Sequence, residues 1–166
     1  MARNSKTKLD WLSLASDRAS RSDFMHHRTG CVIVKGDSVV GDGWSHVPSV
    51  RYSQYRSVHA ELHALIRAHK PNLLDSIAHI ITLTKANRWT NAKPCLRCLE
   101  LLIDAGVSSV IFSIGDNLTC TLDLQKPISK SEYINYPTFY SDLRTLKYVK
   151  HSNRQRNRSK NIPIGC

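Results

Sequence analysis

His59-Ala60-Glu61 and, 33 residues further on, Pro94-Cys95-Leu96-Arg97-Cys98 constrain this chain more than any other part of it. One imidazole and two thiolates are three of the four ligands of a tetrahedral Zn²⁺, which leaves a position for water, as a catalytic rather than a structural site requires. Zinc lowers the pKa of its water to about 7, and the carboxylate of Glu61 is the group to take that proton and give it back. A fold that uses these residues together must bring two distant segments to one point.

The spacing suits that task. Val58 to His69 carries Leu62, Leu65 and Ile66 at helical intervals, and Pro94 stands as a first helical residue ahead of Leu99, Leu102 and Ile103. Both ligand groups then sit at helix N-termini, where backbone N–H groups and the positive end of the dipole favour thiolates and developing anions. Cys95 and Cys98 are less than one helical turn apart, so both sulfurs can face one ion. A zinc finger would need a second ligand pair, and Cys31, Cys120 and Cys166 form no second C-x-x-C. His63 follows His59 by four residues on the same helix face, and such a pair also grips zinc. His59 with the two cysteines is the preferred set, which leaves His63 a role beside the ligands or against substrate.

The rest of the chain predicts one domain over 1–149 and a basic tail over 150–166. Its 166 residues are too few for two typical domains. The expected order is an amphipathic helix over Lys8 to Ser20, then strands over Gly30 to Lys35 and Ser38 to Ser45 joined by a tight turn at Gly36-Asp37. The motif helix from Val58 follows, then a strand over Ala78 to Thr84, a helix over Pro94 to Ala105 ended by Gly106, and a strand over Ser109 to Ser113. That alternation implies a mixed sheet covered by helices. No apolar run approaches the roughly 20 residues of a membrane helix, so no membrane partner is expected. Five cysteines, two of them assigned to zinc, fit a reducing, cytoplasmic setting better than a disulfide framework. The stretch 117–149, with Tyr133, Tyr136, Phe139 and Tyr140, fits a terminal strand and helix or a subunit contact equally well.

With both motifs on helices, the chain resembles the cytidine and deoxycytidylate deaminase superfamily over roughly Gly30 to Ser113. The resemblance implies a three-layer α/β/α fold around a mixed, five-stranded sheet. It also implies zinc as cofactor, His59, Cys95 and Cys98 as ligands, and Glu61 as proton shuttle. Backbone N–H groups near Ala60 and Cys95 would help hold the base and the hydrated intermediate. Relatives range from monomers to hexamers, so a homo-oligomer is compatible with it. Two stretches depart from the pattern. Gly41-Asp42-Gly43-Trp44-Ser45 carries Ser45 where relatives place a substrate-binding asparagine, and a hydroxyl offers fewer hydrogen bonds than an amide. An inserted stretch, Thr84 to Lys93, is expected beside the metal.

Charge bears on the substrate. The net charge of +11 points to polyanions, and five of those charges lie in the tail at Lys150, Arg154, Arg156, Arg158 and Lys160. Lys85, Arg88, Lys93 and Arg97 interleave with Trp89, Asn87 and Asn91, while Arg51 and Arg56 stand with Tyr52 and Tyr55. Such a set could stack an extruded base and track a single strand, or hold the phosphate of one nucleotide. Arg88, Trp89 and Asn91, with Ser45 and Ala60, are therefore the expected substrate contacts. The leading reading is conversion of cytosine to uracil on a pyrimidine nucleotide of the deoxycytidylate kind. The alternatives are deamination of cytosine or adenine in single-stranded DNA or RNA, transfer RNA included, and a non-catalytic zinc-containing nucleic-acid-binding module.

Overall fold

The computed structural model describes residues 8–48, 57–68, 73–134 and 149–150. The expected first helix forms as α1 (Lys8–Ser20) because Trp11, Leu12, Ala15 and Ala19 recur on one face and are buried there. The strands β1 (Arg28–Lys35) and β2 (Ser38–Trp44) make an antiparallel hairpin whose turn places Gly36 at φ +58°. Then come α2 (Ala60–Ile66), β3 (Ser76–Leu83), the two-residue β4 (Trp89–Thr90), α3 (Leu96–Asp104) and β5 (Val107–Gly115). Gly106, at φ +89°, ends α3 as the sequence predicts. The stretch left open from 117 onward supplies β6 (Leu118–Asp123), the short α4 (Lys130–Ile134) and β7 (Val149–Lys150).

Among the described residues the sheet has seven strands, in the order β2-β1-β3-β5-β6-β7 with β4 paired to β3. Four of its five long strands lie where the sequence predicts strands, β6 comes from the stretch left open, and the additions to five are the two-residue strands β4 and β7. The β3–β5 pair is parallel and the other pairs are antiparallel, so the sheet is mixed. Lys150, placed by sequence in the tail, pairs with Leu118 in β7, and residues 151–166 lie outside the described residues. The loop residues Arg51, Tyr52, Tyr55 and Arg56 also lie outside them, as do Tyr136, Phe139 and Tyr140. No helix among the described residues is long and apolar enough to cross a membrane.

Strand alternation divides the core into two layers. Val32, Val34, Ile81, Leu83 and Ile111 meet α1, whereas Cys31, Ile33, Ile80, Val110 and Phe112 meet α2 and α3. Three layers result, with the motif helices together on one face. Close approach on that face depends on two glycines. A Cβ on Gly41 would stand 2.6 Å from the Ala64 carbonyl oxygen, and one on Gly43 would stand 2.4 Å from the Ala64 nitrogen. Only glycine lets the α2 backbone lie against β2 there.

Candidate metal centre and its cavity

His59 is the N-cap of α2 and Cys95 the N-cap of α3, so each motif supplies its first ligand at a helix start. Pro94 therefore precedes the cap and is not the first helical residue, because Cys95 has the extended backbone of a cap, with ψ 158°. The Cys95 Sγ accepts the Cys98 N–H at 3.4 Å, which turns both sulfurs towards one point. The His59 Nδ1 lies 3.6 Å from Cys95 Sγ and 3.4 Å from Cys98 Sγ, and the three ligand atoms fall within 4.8 Å of one another. A tetrahedral zinc with Zn–S of ~2.3 Å and Zn–N of ~2.0–2.1 Å would hold nitrogen and sulfur about 3.6 Å apart. The donors fit that ion.

Electrostatics point the same way. The Cys95 thiol is pulled down to about 5, first by the hydrogen bond it receives from Cys98. Cys98 is pushed up because it holds the proton shared with Cys95, and burial adds to this. A low-lying thiol beside a second sulfur is a donor pair suited to a divalent cation. Glu61, on the first turn of α2, is 4% exposed, and burial pushes its carboxyl up. A carboxyl raised in this way holds and releases a proton nearer neutral pH than an exposed one does.

A cavity of about 370 Å³ opens over this centre. His59, Glu61 and Cys95 line it, together with Ala60, Ser45 and Asn91. The Ser45 hydroxyl accepts the Thr29 N–H at 3.0 Å and shares a bond with Ser22 Oγ at 3.0 Å, which leaves it a single further bond to offer. His63 points elsewhere. Its ring meets Trp44 and His46 edge-on, with centroids 4.7 and 4.5 Å away, and its Nδ1 faces the Trp44 backbone.

Arg88 and Trp89 do not line the cavity. Trp89 packs among the residues that meet α1, and Arg88 is exposed and paired with Asp116 at 3.1 Å. The inserted stretch is a hairpin in which Asn87 takes φ +58°, and only its end, Asn91 to Lys93, reaches the cavity. Conversely, Phe24, His26 and His27 line the cavity although no spacing pattern marks them. The adjacent pair of histidines, just ahead of the first strand, was the signal available.

A family model described as the cytidine and deoxycytidylate deaminase zinc-binding region matches residues 5–114. The deoxycytidylate deaminase of Saccharomyces cerevisiae is 27% identical over 121 residues, covering 62% of this chain and 36% of that protein. The diaminohydroxyphosphoribosylamino-pyrimidine deaminase of Buchnera aphidicola (subspecies Schizaphis graminum) is 34% identical over 87 residues, which is 52% of this chain and 51% of that protein. The match thus spans about half or less of either relative's length. Among solved structures, a cytidine deaminase from Burkholderia pseudomallei shares the fold, with a TM-score of 0.53, 17% identity, and 72% of this chain covering 94% of that one.

Proposed function

Because the chain belongs to the cytidine and deoxycytidylate deaminase family, we propose that it removes the amino group of a cytosine carried on a mononucleotide, by hydrolysis, as a deoxycytidylate-type deaminase. Zinc, held by His59 Nδ1 and the sulfurs of Cys95 and Cys98, supplies when bound a water acidified to near neutrality. Glu61 takes a proton from the attacking water and passes it to the ring nitrogen beside the reacting carbon. It then carries the second proton to the amino group, which leaves as ammonia. The C–N bond breaks, the water oxygen becomes the carbonyl of uracil, and no electrons change hands. The N-termini of α2 and α3 supply N–H groups near Ala60 and Cys95 for the base and for the negative charge that develops on it.

The observation that carries the mononucleotide reading is the cavity itself. Its volume is near that of a small-molecule site, and its wall adds His26, His27 and Lys93 to the reacting groups. We take that polar part of the wall as the place where the phosphate of one nucleotide is met. Arg88 and Trp89, the residues best suited to stacking and tracking a strand, lie away from it. The names of both relatives above, deoxycytidylate and phosphoribosylamino-pyrimidine deaminase, also describe phosphorylated pyrimidines. Cys95 and Cys98 must remain unoxidised to bind zinc, whereas Cys120 is disulfide-bonded, which counts against the reducing setting expected from the cysteine count.

The test is a paired deamination assay on the zinc-loaded protein. Deoxycytidylate and cytidylate are offered in one vessel, single-stranded oligonucleotides containing cytosine or adenine in the other, each with a Glu61→Ala control. Turnover of the mononucleotide, falling ~10²–10⁴-fold in the control while zinc is retained, is the expected result. Conversion within the oligonucleotide alone would replace this reading with a nucleic-acid editor. Indifference to Glu61→Ala would remove Glu61 from the chemistry.

A further inference from the structure

Tyr133 lies beyond the matched residues 5–114, on α4, yet it contacts the residue next to the ligand Cys95. Its side chain is 3% exposed within the core that α2 and α3 share. Its hydroxyl donates to the Pro94 carbonyl oxygen at 2.6 Å, inside the protein. Pro94 is the residue immediately before the ligand Cys95, so this bond falls on the peptide that joins the two.

A peptide unit is planar, and this one is trans, since the described chain has no cis bond. A bond to its carbonyl oxygen therefore restrains the whole plane, and the Cys95 N–H, trans to that oxygen, points the opposite way. The same plane sets where the Cys95 Cα, and hence its sulfur, leaves the loop. Cys95 lines the cavity, so this bond restrains the backbone from which a ligand atom and a backbone donor both project.

Tyr133 is itself held in place. Lys93 Nζ lies 4.7 Å from the Tyr133 ring centroid and donates to the Tyr133 carbonyl at 2.6 Å and to that of Ile134 at 3.3 Å, at the end of α4. A cation there completes the last turn of a short helix. Lys130 adds an ion pair at 3.4 Å to Glu100 on α3, the helix that carries Cys98. Lys93 also lines the cavity, so the clamp and the cavity wall share a residue.

We propose that Tyr133 is a positioning residue of the metal centre, fixing the Pro94–Cys95 peptide and through it the Cys95 sulfur and N–H. The proposal rests on His59, Cys95 and Cys98 holding zinc, and it is independent of which base is the substrate.

The test compares the full-length, zinc-loaded protein with Tyr133→Phe, which keeps the ring over which Lys93 sits and removes only the hydroxyl. The first readout is the rate at which zinc passes to a chromophoric chelator, and about tenfold faster release is expected, at the low end for groups supporting a metal ligand. The second is the melting of the zinc-free protein, expected to fall by only a few degrees. That split separates positioning from simple support, because a merely structural role would lower melting without singling out zinc. Release within twofold of the parent overturns the proposal. Should Tyr133→Phe fail to fold, Lys93→Met, which leaves the hydroxyl but frees the end of α4, decides it: release at the parental rate overturns it and faster release sustains it. A protein that holds zinc but ignores deoxycytidylate sinks the substrate reading and leaves this comparison intact, whereas one that takes up no zinc overturns both.

Discussion

Gly43→Ala tests whether the contact between β2 and α2 sets the chemistry. The added Cβ would stand 2.4 Å from the Ala64 nitrogen, 2.6 Å from the Ala60 carbonyl oxygen and 2.8 Å from the His63 carbonyl carbon. All three are backbone atoms of α2, so no side chain can swing aside. Ordinary contact begins at about 3.4 Å, and the helix must therefore move by about 1 Å. Such overpacking costs ~1–3 kcal/mol, which lowers the melting temperature by roughly 2–12 °C in a chain of this size. The larger effect falls on the site, because the displaced helix carries His59 at its cap and Glu61 in its first turn. A misplacement of that size costs ~10²-fold in turnover. Melting, zinc content and ammonia release from deoxycytidylate are measured side by side, with Gly36→Ala as control. Gly36 has open space around its Cβ position and φ +58°, so that control should cost ~1–2 kcal/mol and leave turnover per folded molecule unchanged. A Gly43→Ala protein that melts and turns over like the parent would refute the argument that this glycine sets the seat of α2.

Two further outcomes follow from the other face of the sheet. Burial pushes the Asp42 carboxyl up, but hydrogen bonds and charges from Arg18 and then Arg67 outweigh it and hold the group below the ordinary 3.8. A depressed carboxyl stabilises the fold above that value and loses its effect as pH falls through the folded one. Asp42→Asn should thus cost ~1–2 kcal/mol at pH 7, and the melting gap to the parent should close below about pH 4, whereas a gap constant with pH would contradict the ion-pair account. Trp89→Ala removes a half-buried ring from the α1 layer and should cost about 2 kcal/mol while leaving the KM for deoxycytidylate within about twofold, and a tenfold rise would return the hairpin to the substrate.

The elements and the ligand set were legible because periodicity and motif chemistry report local structure. Leu12, Ala15 and Ala19 mark one face of α1 wherever that helix packs, and His59, Cys95 and Cys98 are chemically distinctive at any distance in sequence. The wall of the cavity was not legible, because it depends on register. Trp89 pairs with Leu83, whose side chain meets α1, while Thr90 pairs with Thr82, which lines the cavity. Cross-strand partners share a face, so one residue's slip in that hairpin would have reversed the outcome, and nothing in Thr84 to Lys93 fixes the slip. His26 and His27 were missed for a different reason: they join the wall only because β1 lies between β2 and β3, a pairing that a single sequence does not display. Tyr133 likewise acts on Pro94 across 39 positions.

The two motif helices are seated by buried apolar side chains that are not metal donors. Ala60, Ala64, Leu99 and Leu102, which seat the two motif helices, are at most 2% exposed and owe that burial to one another and to the sheet. His59 and Cys95 face outward while Cys98 and Glu61 lie beneath. The seat of the two helices is thus made by side chains that are not themselves metal donors, so packing rather than the donors sets its shape.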